Sequence, residues 1–182
     1  MIGKLLRRVR VGQDKLAWNM PALQSDNDLA LRSDDFAHEA DLPVGSLSAE
    51  LGGHDVSPAL QWNPPPAGTA QLLLVIQDAD VPLPFPLSHV FALIDPSVTT
   101  LPSSGLNTGS SPAGVRLLAI GTTSGYGGPE PLKGHGRHRY AVQLFALPTV
   151  IPDREPRRLK TALGAIDHVL ARGRIDGFAE RT

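Results

Sequence analysis

The stretch from residue 121 to residue 147 constrains the fold most, because a glycine-rich loop leads directly into an alternating strand. Five glycines lie between Gly125 and Gly136, so the backbone can adopt positive φ and turn its N–H groups toward a ligand. From residue 138 onward the side chains alternate with period two, which is typical of a buried β-strand. One predicted face carries Tyr140, Val142, Leu144 and Ala146, and the other carries Arg139, Ala141, Gln143, Phe145 and Leu147.

Composition narrows the class of protein. A chain of 182 residues suits a single domain with a substantial core. It has no cysteine, which excludes disulfides, thiolate metal sites and cysteine nucleophiles and predicts a cytoplasmic location. The 17 basic and 18 acidic residues give a net charge of −1, and without a basic stripe we expect no nucleic-acid partner. The 18 glycines and 17 prolines favour short strands over long helices.

The first residues form a basic amphipathic pattern. Apolar residues recur at helical spacing, with four cations between them, which predicts a short helix. The apolar residues are Ile2, Leu5, Leu6 and Val9. We treat residues 1–20 as an N-terminal segment and residues 21–182 as one domain. Two interpretations of residues 1–10 stay open: a weak contact with an anionic membrane surface, or packing on their own domain or on a second copy. The cations are Lys4, Arg7, Arg8 and Arg10.

The remaining pattern predicts several further strands and one helix. Residues 71–77 form a continuous apolar run, as expected for a strand buried on both faces. A helix is predicted from Asp153 to Gly173, with Pro156 in its first turn. The other predicted strands are Leu29–Arg32, Leu42–Leu47, Val90–Ile94, Val115–Ile120 and Arg174–Phe178, and Leu101–Gly114 is predicted to be a loop.

Three residues with complementary chemistry lie at strand ends. Asp78 follows one apolar strand, and His89 and His138 each begin another. The ends of neighbouring antiparallel strands can meet at one edge of a sandwich, so we expect these side chains to lie close together. The chain has no Walker phosphate-binding loop, no Gly-x-Ser-x-Gly elbow and no His-Glu-x-x-His helix, which excludes the corresponding enzyme classes.

Three sequence blocks together resemble a known family. They are SPALQW at 57–62, DADVP at 78–82 and GYGGPEPLKGHGRHRY at 125–140. The chain resembles the phosphatidylethanolamine-binding protein family, also called the Raf kinase inhibitor protein family, in its bacterial branch, over residues 42–178. The resemblance implies a mainly β fold: a sandwich of two antiparallel sheets, with a C-terminal amphipathic helix, short flanking helices and a small anion pocket at one edge.

The same resemblance implies which residues bind the ligand, and where this chain departs from the family. Ala79 replaces a proline, and Ser88 and Val90 flank His89 where aromatic residues are usual. Glu130 places a carboxylate in the loop, which would lower the affinity for an anion. The implied ligand-binding residues are Asp78, His89, Tyr126, Gly128, His138 and Tyr140.

Physical chemistry gives these residues distinct roles. His89 and His138 can donate ring N–H groups and become cationic, which suits a phosphoryl group. Asp78 is expected to orient one imidazole rather than touch the anion, because two negative groups repel. The N–H groups of Gly127 and Gly128, with a tyrosine hydroxyl, are expected to complete the anion site.

Two functional hypotheses follow. The first is a non-enzymatic protein, with no cofactor and no catalytic residue, that binds phosphorylated small molecules or phospholipid head groups. The family likeness adds inhibition of a protein kinase or protease, and a homodimer, to that expectation. The alternative is a metal-dependent enzyme in which Asp78, His89 and His138 form a facial triad for iron or zinc.

Overall fold

The computed structural model describes residues 2–120, 123–152 and 159–182. Strands dominate this part of the chain, and its helices are short. None of them is long and apolar enough to cross a membrane. The elements are α1 (Ile2–Leu6), β1 (Ala40–Asp41), β2 (Leu60–Gln61), β3 (Gln71–Asp78), β4 (Leu87–Ile94), β5 (Thr100–Leu101), β6 (Val115–Leu117), β7 (Ala119–Ile120), β8 (Thr123–Ser124), β9 (His138–Leu147), α2 (Leu159–Gly164) and β10 (Ala171–Ala179).

Six of the strands form one large sheet, in the order β1-β10-β9-β3-β4-β6. Neighbouring strands in it are antiparallel, except that β1 runs parallel to β10. Strands β2 and β5 form a small antiparallel pair, as do β7 and β8. The predicted mainly β sandwich is therefore confirmed, with the refinement that its large sheet is mixed.

Both faces of the large sheet are covered, which explains the continuous apolar run of β3. Leu72, Leu74 and Ile76 face one layer that contains Leu60 of β2 and Leu101 of β5. Leu73 and Val75 face the other layer, formed by α2, the chain that follows it and part of the N-terminal segment. The alternation predicted for β9 is confirmed: Tyr140, Val142, Leu144 and Ala146 lie in the first layer, and Phe145 and Leu147 lie in the second.

The N-terminal segment is attached to the sheet by buried polar side chains. After α1 it forms three short 3-10 turns, at residues 13–15, 17–19 and 21–23. The backbone N–H of Ala17 donates to Gln77 and that of Trp18 donates to Gln143, at 2.9 and 2.7 Å. These amide side chains are buried on the sheet face, so they stabilise the attachment by satisfying backbone groups that would otherwise be buried without partners.

Several predicted element boundaries are wrong. The helix α2 ends at Gly164, and Gly173 lies within β10, where an added Cβ would lie 2.9 Å from the Cβ of Leu31. Close packing therefore explains this glycine better than helix termination. The start of the predicted helix at Asp153 lies outside the described residues. Residues 42–47 contain a 3-10 turn rather than a strand, the predicted strand 115–120 divides into β6 and β7, and 29–32 contributes only isolated bridges at its margins.

Candidate binding site

A β-bulge positions the first candidate side chain. In the pairing of β3 with β4, Ile76 lies opposite Val90 and Gln77 lies opposite Ser88, so His89 is the extra residue. A bulge interrupts strict alternation and redirects a side chain. Here it brings the His89 ring to the ring of Tyr140, with the centroids 5.1 Å apart in an edge-on arrangement.

The register between β3 and β9 brings Asp78 to the same place. Asp78 lies directly opposite Tyr140, and cross-strand partners share a face of the sheet. Two residues earlier on β9, and therefore on that face, is His138, whose Nδ1 lies 2.7 Å from Oδ2 of Asp78. The other carboxylate oxygen accepts the Asp80 N–H at 2.7 Å. Asp78 and His138 are each only 1% exposed.

His138 has no ring nitrogen left for a ligand. Its Nε2 lies 2.7 Å from Nδ1 of His135, and Nε2 of His135 reaches the carbonyl oxygens of Leu6 and Val9 at 2.8 and 3.2 Å. Sequence reasoning missed His135, although a second histidine three residues before His138 was visible in the glycine loop. We call Asp78, His138 and His135 the relay.

His89 differs, because only one of its ring nitrogens has a partner. Nδ1 bonds the Gly127 carbonyl at 2.8 Å, and the Gly127 N–H donates to the His89 carbonyl at 2.9 Å. Nε2 is buried without a hydrogen-bond partner. Burial lowers the pKa of His89 below its ordinary value, partly opposed by the Gly127 carbonyl and Asp78. The neutral ring therefore has its proton on Nδ1 and a lone pair on Nε2.

A second orphaned polar atom lies beside the same loop. Among the described residues, three buried side-chain nitrogen or oxygen atoms lack a partner: Ser48 Oγ, Trp62 Nε1 and His89 Nε2. The N–H of Ser48 donates to the carbonyl of Pro129, so Ser48 and His89 flank residues 127–129. Because buried polar groups rarely lack partners, each of these two orphans marks unmet hydrogen-bonding capacity beside the loop.

The loop itself does not supply the expected cluster of free N–H groups. Gly128 donates to Oδ1 of Asp55 at 2.8 Å, and Gly127 donates to His89 as described above. The Tyr126 hydroxyl donates to the Ser46 carbonyl at 3.0 Å. Burial raises the pKa of the Tyr126 hydroxyl, with Asp55 adding to the effect. The anticipated N–H site for an anion is therefore corrected: these groups bind other parts of the protein, and Asp55 was missed as the acceptor for Gly128.

Tyr140 closes the site from the sheet side. Its ring packs in the buried layer beneath His89. Burial raises the pKa of its hydroxyl, and the carboxylate of Asp78 raises it further. Tyr140 therefore remains a neutral phenol, whose hydroxyl hydrogen-bonds with Asp78.

The alternative hypothesis, a metal triad of Asp78, His89 and His138, is not supported by the geometry. Within the described ranges, the only group of three side chains whose ligand atoms lie within 4.8 Å of one another is His38, Glu39 and Asp176. Asp176 already accepts from Arg174 at 2.7 and 2.9 Å and from Arg139 at 2.9 Å. Two guanidinium groups therefore balance its charge, and neither this cluster nor the relay resembles an open metal site.

The departures from the family pattern have local explanations. Ala79 is fully buried and packs with Leu16 and Ala141, where the N-terminal segment meets the sheet. Glu130 pairs with Arg181 at 3.0 Å and is partly exposed. Its charge is therefore balanced locally, which reduces the repulsion anticipated for an anion.

A surface cavity of about 420 Å³ lies at the opposite end of β3 and β4, lined by Gln71, Asp95, Gly114 and Arg116 among others. It is open to solvent and remote from the relay and from His89. The orphaned polar atoms mark a binding site better than this concavity does, because they identify unmet hydrogen-bonding capacity.

Comparison with known proteins agrees with the geometry. A model of the family described as phosphatidylethanolamine-binding protein matches residues 32–179. A UPF0098 protein of Methanothermobacter thermautotrophicus is 35% identical over 132 residues, which cover 71% of this chain and 85% of that protein. A UPF0098 protein of Aquifex aeolicus is 34% identical over 97 residues, which cover 52% of this chain but only 56% of its own length.

A solved structure supports the fold. The crystal structure of Escherichia coli YbcL, described as a new member of the mammalian PEBP family, superposes with a TM-score of 0.72. It covers 84% of this chain and 98% of that one, at 24% identity.

Proposed function

The chain belongs to the phosphatidylethanolamine-binding protein family, and from that premise we propose that it binds phosphorylated small molecules or phospholipid head groups without catalysing a reaction. The observation that carries the proposal is the buried, partnerless Nε2 of His89. Tyr140 and Asp78 lie on the same face of the sheet, so a ligand at Nε2 would meet a phenol and the edge of the relay.

The protonation of His89 favours one kind of anion over another. The neutral ring offers a lone pair at Nε2, which needs a donor. A phosphate monoanion carries an O–H and can donate it, because its second ionisation lies near pH 6. A fully ionised sulfate has no such proton, so the ring must first become cationic, which burial opposes. Phosphate monoesters are therefore the better match.

His138 acts indirectly in this proposal. Both of its nitrogens are engaged, so it holds Asp78 in place rather than touching the ligand. Asp78 keeps its orienting role, and both of its carboxylate oxygens, which a phosphoryl group would otherwise face, are engaged by His138 and by the Asp80 N–H.

Several finer statements belong to the proposal. The exposed Ile2 and Leu5 lie beside the exposed cations Lys4, Arg7 and Arg8, which suits a weak contact with an anionic membrane. We also propose a cytoplasmic location, a homodimer, and a protein kinase or protease as a regulated partner, all by likeness to the family.

The test separates the two nitrogens of His89. In His89→Asn the side-chain amide can still donate to the Gly127 carbonyl, but nothing replaces Nε2. His89→Gln places its amide nearer the position of Nε2. Calorimetry with phosphate and phosphoethanolamine at pH 6 should detect binding by the wild type, loss in His89→Asn and partial rescue in His89→Gln. The exposed His168 provides the control His168→Gln, which should bind as the wild type does.

Unchanged binding by His89→Asn would contradict the assignment of His89. If vesicles containing phosphatidylethanolamine compete with soluble phosphoethanolamine, the head group is accessible from a lipid surface. If only the soluble compounds bind, the ligand is a free metabolite.

A further inference from the structure

Residues 2–12 cross the outside of the relay, and we call them the strap. Gly3 in α1 lies so close to the glycine loop that a Cβ there would overlap the Lys133 carbonyl oxygen. Further along, the N–H of Val11 donates to the Val81 carbonyl and that of Gly12 to the Ala79 carbonyl, at 3.2 and 3.0 Å. The strap is therefore bound at both ends, and its middle lies over His135.

A partly exposed ion pair holds the strap in place near its C-terminal end. Arg10 contacts Oδ1 of Asp80 at 2.6 Å and the Arg137 carbonyl at 3.1 Å. The second oxygen of Asp80 accepts the N–H of Arg139 at 2.8 Å. Arg10 thus connects the strap to the chain just after β3 and just before β9, the strands that carry Asp78 and His138.

The strap fixes where protons must be in the relay. Carbonyl oxygens only accept, so the contacts of His135 with Leu6 and Val9 require a proton on its Nε2. The contact between His135 and His138 needs a second proton, and the one between His138 and Asp78 needs a third. Two neutral histidines and a carboxylate supply only two protons. The complete network therefore carries one additional proton and is neutral overall.

Without the strap the requirement disappears. Nε2 of His135 would face water, which can donate as well as accept, and the relay could release one proton and become negative. With the strap attached, that state would set the lone pair of Nε2 against two carbonyl oxygens, which is unfavourable.

We propose that the strap holds a proton on the His135–His138 pair, and that its attachment thereby keeps the neighbouring ligand site favourable to anions. His135 is in this sense a positioning residue. The effect on the ligand rests on the proposed function, whereas the effect on the proton does not.

Other charged groups surround the relay, and two of them, Arg7 and Arg10, belong to the strap and move with it. Withdrawal of these cations would favour an imidazolium, so it opposes the expected proton loss and does not imitate it. His89 and Tyr140 lie on the ligand side, Asp80 and Arg10 form their own pair, and Arg137 pairs with Asp41 at 2.6 Å. The positive charge on His138 contributes to the lowered pKa of His89, although burial is the larger cause. Loss of the relay proton is thus the change that an anion at His89 would sense.

A single methyl group tests the strap in the full chain. Gly3→Ala must displace α1, although alanine favours a helix more than glycine does, so any loosening comes from the overlap with Lys133. Gly45→Ala is the matched control, because a Cβ at Gly45 meets nothing within 4 Å. Amide hydrogen exchange of Val11 and Gly12 reports strap attachment, and ¹⁵N shifts of the imidazole rings report their protonation.

At pH 7.5 we expect faster amide exchange at Val11 and Gly12 in Gly3→Ala than in the wild type. The His135–His138 pair should be neutral in that variant, whereas the wild type and Gly45→Ala should retain the imidazolium signal. Lowering the pH to 5.5 should restore the imidazolium signal in the variant. Arg10→Gln, which removes the ion pair with Asp80, should also speed exchange at Val11 and Gly12, but its ring shifts also reflect the lost cation. Unchanged ring shifts in Gly3→Ala with released amides would overturn the proposal, and so would unchanged exchange in both variants.

Phosphate affinity supplies the second readout. We expect a loss of at least about fivefold in Gly3→Ala at pH 7.5, the lower end of common coupling between sites, and a smaller loss at pH 5.5. If the ring shifts change but the phosphate affinity does not, the strap holds the proton as proposed. Its proposed effect on the ligand is then overturned. If the wild type binds no phosphate while the ring shifts respond, the proposed function fails and the strap's role stands.

Discussion

Two histidines of the same site differ in how many of their ring nitrogens have hydrogen-bond partners. His138 has partners on both nitrogens, within a relay that extends from Asp78 to the backbone of the N-terminal segment. His89 has one partner and one buried orphan nitrogen. The difference indicates that His138 stabilises the site, whereas His89 is the side chain with capacity left for a ligand. Residue type alone does not distinguish these roles.

The largest expected effect comes from removing a hydrogen-bond partner of His138 in the relay. Asp78→Asn leaves one acceptor oxygen for the two N–H groups, of His138 and Asp80, that the carboxylate now serves. Removing one partner of a buried ion pair commonly costs about 3–5 kcal/mol. We expect a loss of that size in the free energy of unfolding, measured by urea denaturation, and weaker anion binding as well.

The matched change at His89, the histidine with an unpartnered nitrogen, is His89→Asn, which keeps the contact with Gly127. It should cost about 0.5–1.5 kcal/mol, the value of an edge-on ring contact such as the one lost with Tyr140. Equal losses for the two variants would contradict the distinction between the histidines.

The second prediction compares neighbouring glycines. A Cβ on Gly128 would lie 2.7 Å from Asp55 Oδ1 and from backbone atoms of Leu47 and Ser48, whereas one on Gly127 meets nothing within 4 Å. Overpacking typically costs about 1–3 kcal/mol, so Gly128→Ala should lower the unfolding free energy by that amount. Gly127→Ala is the control and should change it by less than about 0.5 kcal/mol, the usual range for uncrowded sites.

The third prediction uses pH to examine the orphan nitrogen. Burial lowers the pKa of His89, so its ring is still neutral at a pH just below the ordinary histidine pKa of about 6.5. At that pH, and above it, the ring must therefore take up a proton when sulfate binds. Linkage to one proton makes sulfate affinity fall by about tenfold per pH unit as the pH rises through this range. Titrations from pH 5 to pH 8 check it, and a pH-independent affinity would show that His89 is not the contact.

The same lowered pKa predicts the direction of the stability change. The unfolded chain takes up a proton at His89 more readily than the folded one, so the stability from this residue is full above about pH 6.5. It is lost as the pH falls from there through the lowered value. The difference in thermal midpoint between wild type and His89→Asn should therefore shift in favour of the variant on acidification.

The smallest effect is expected at Glu130. Its ion pair with Arg181 is partly exposed, and such pairs contribute about 0–1 kcal/mol. Glu130→Gln should therefore change phosphate affinity by no more than about threefold, within that range. A tenfold gain would mean that its carboxylate faces the ligand after all.

Local sequence pattern was sufficient for much of the architecture. The apolar run of β3 and the alternation of β9 report burial directly, because side-chain period and apolarity reflect which faces are covered. The blocks around Asp78 and the glycine loop identified the family. The boundaries of helices and strands were less predictable. The sequence pattern predicts that Gly173 ends a helix, but Gly173 lies within β10, where Leu31 approaches it closely.

What the sequence determined by itself is therefore the mainly β fold and the set of residues near the site. Only the tertiary structure decided their roles, because a hydrogen bond consumes a donor or acceptor through contacts between distant segments. The Asp55 carboxylate occupies the N–H of Gly128, and Leu6 and Val9 reach His135 across more than 120 positions of sequence. A one-residue bulge leaves the Nε2 of His89 unpaired, and no local pattern records that outcome.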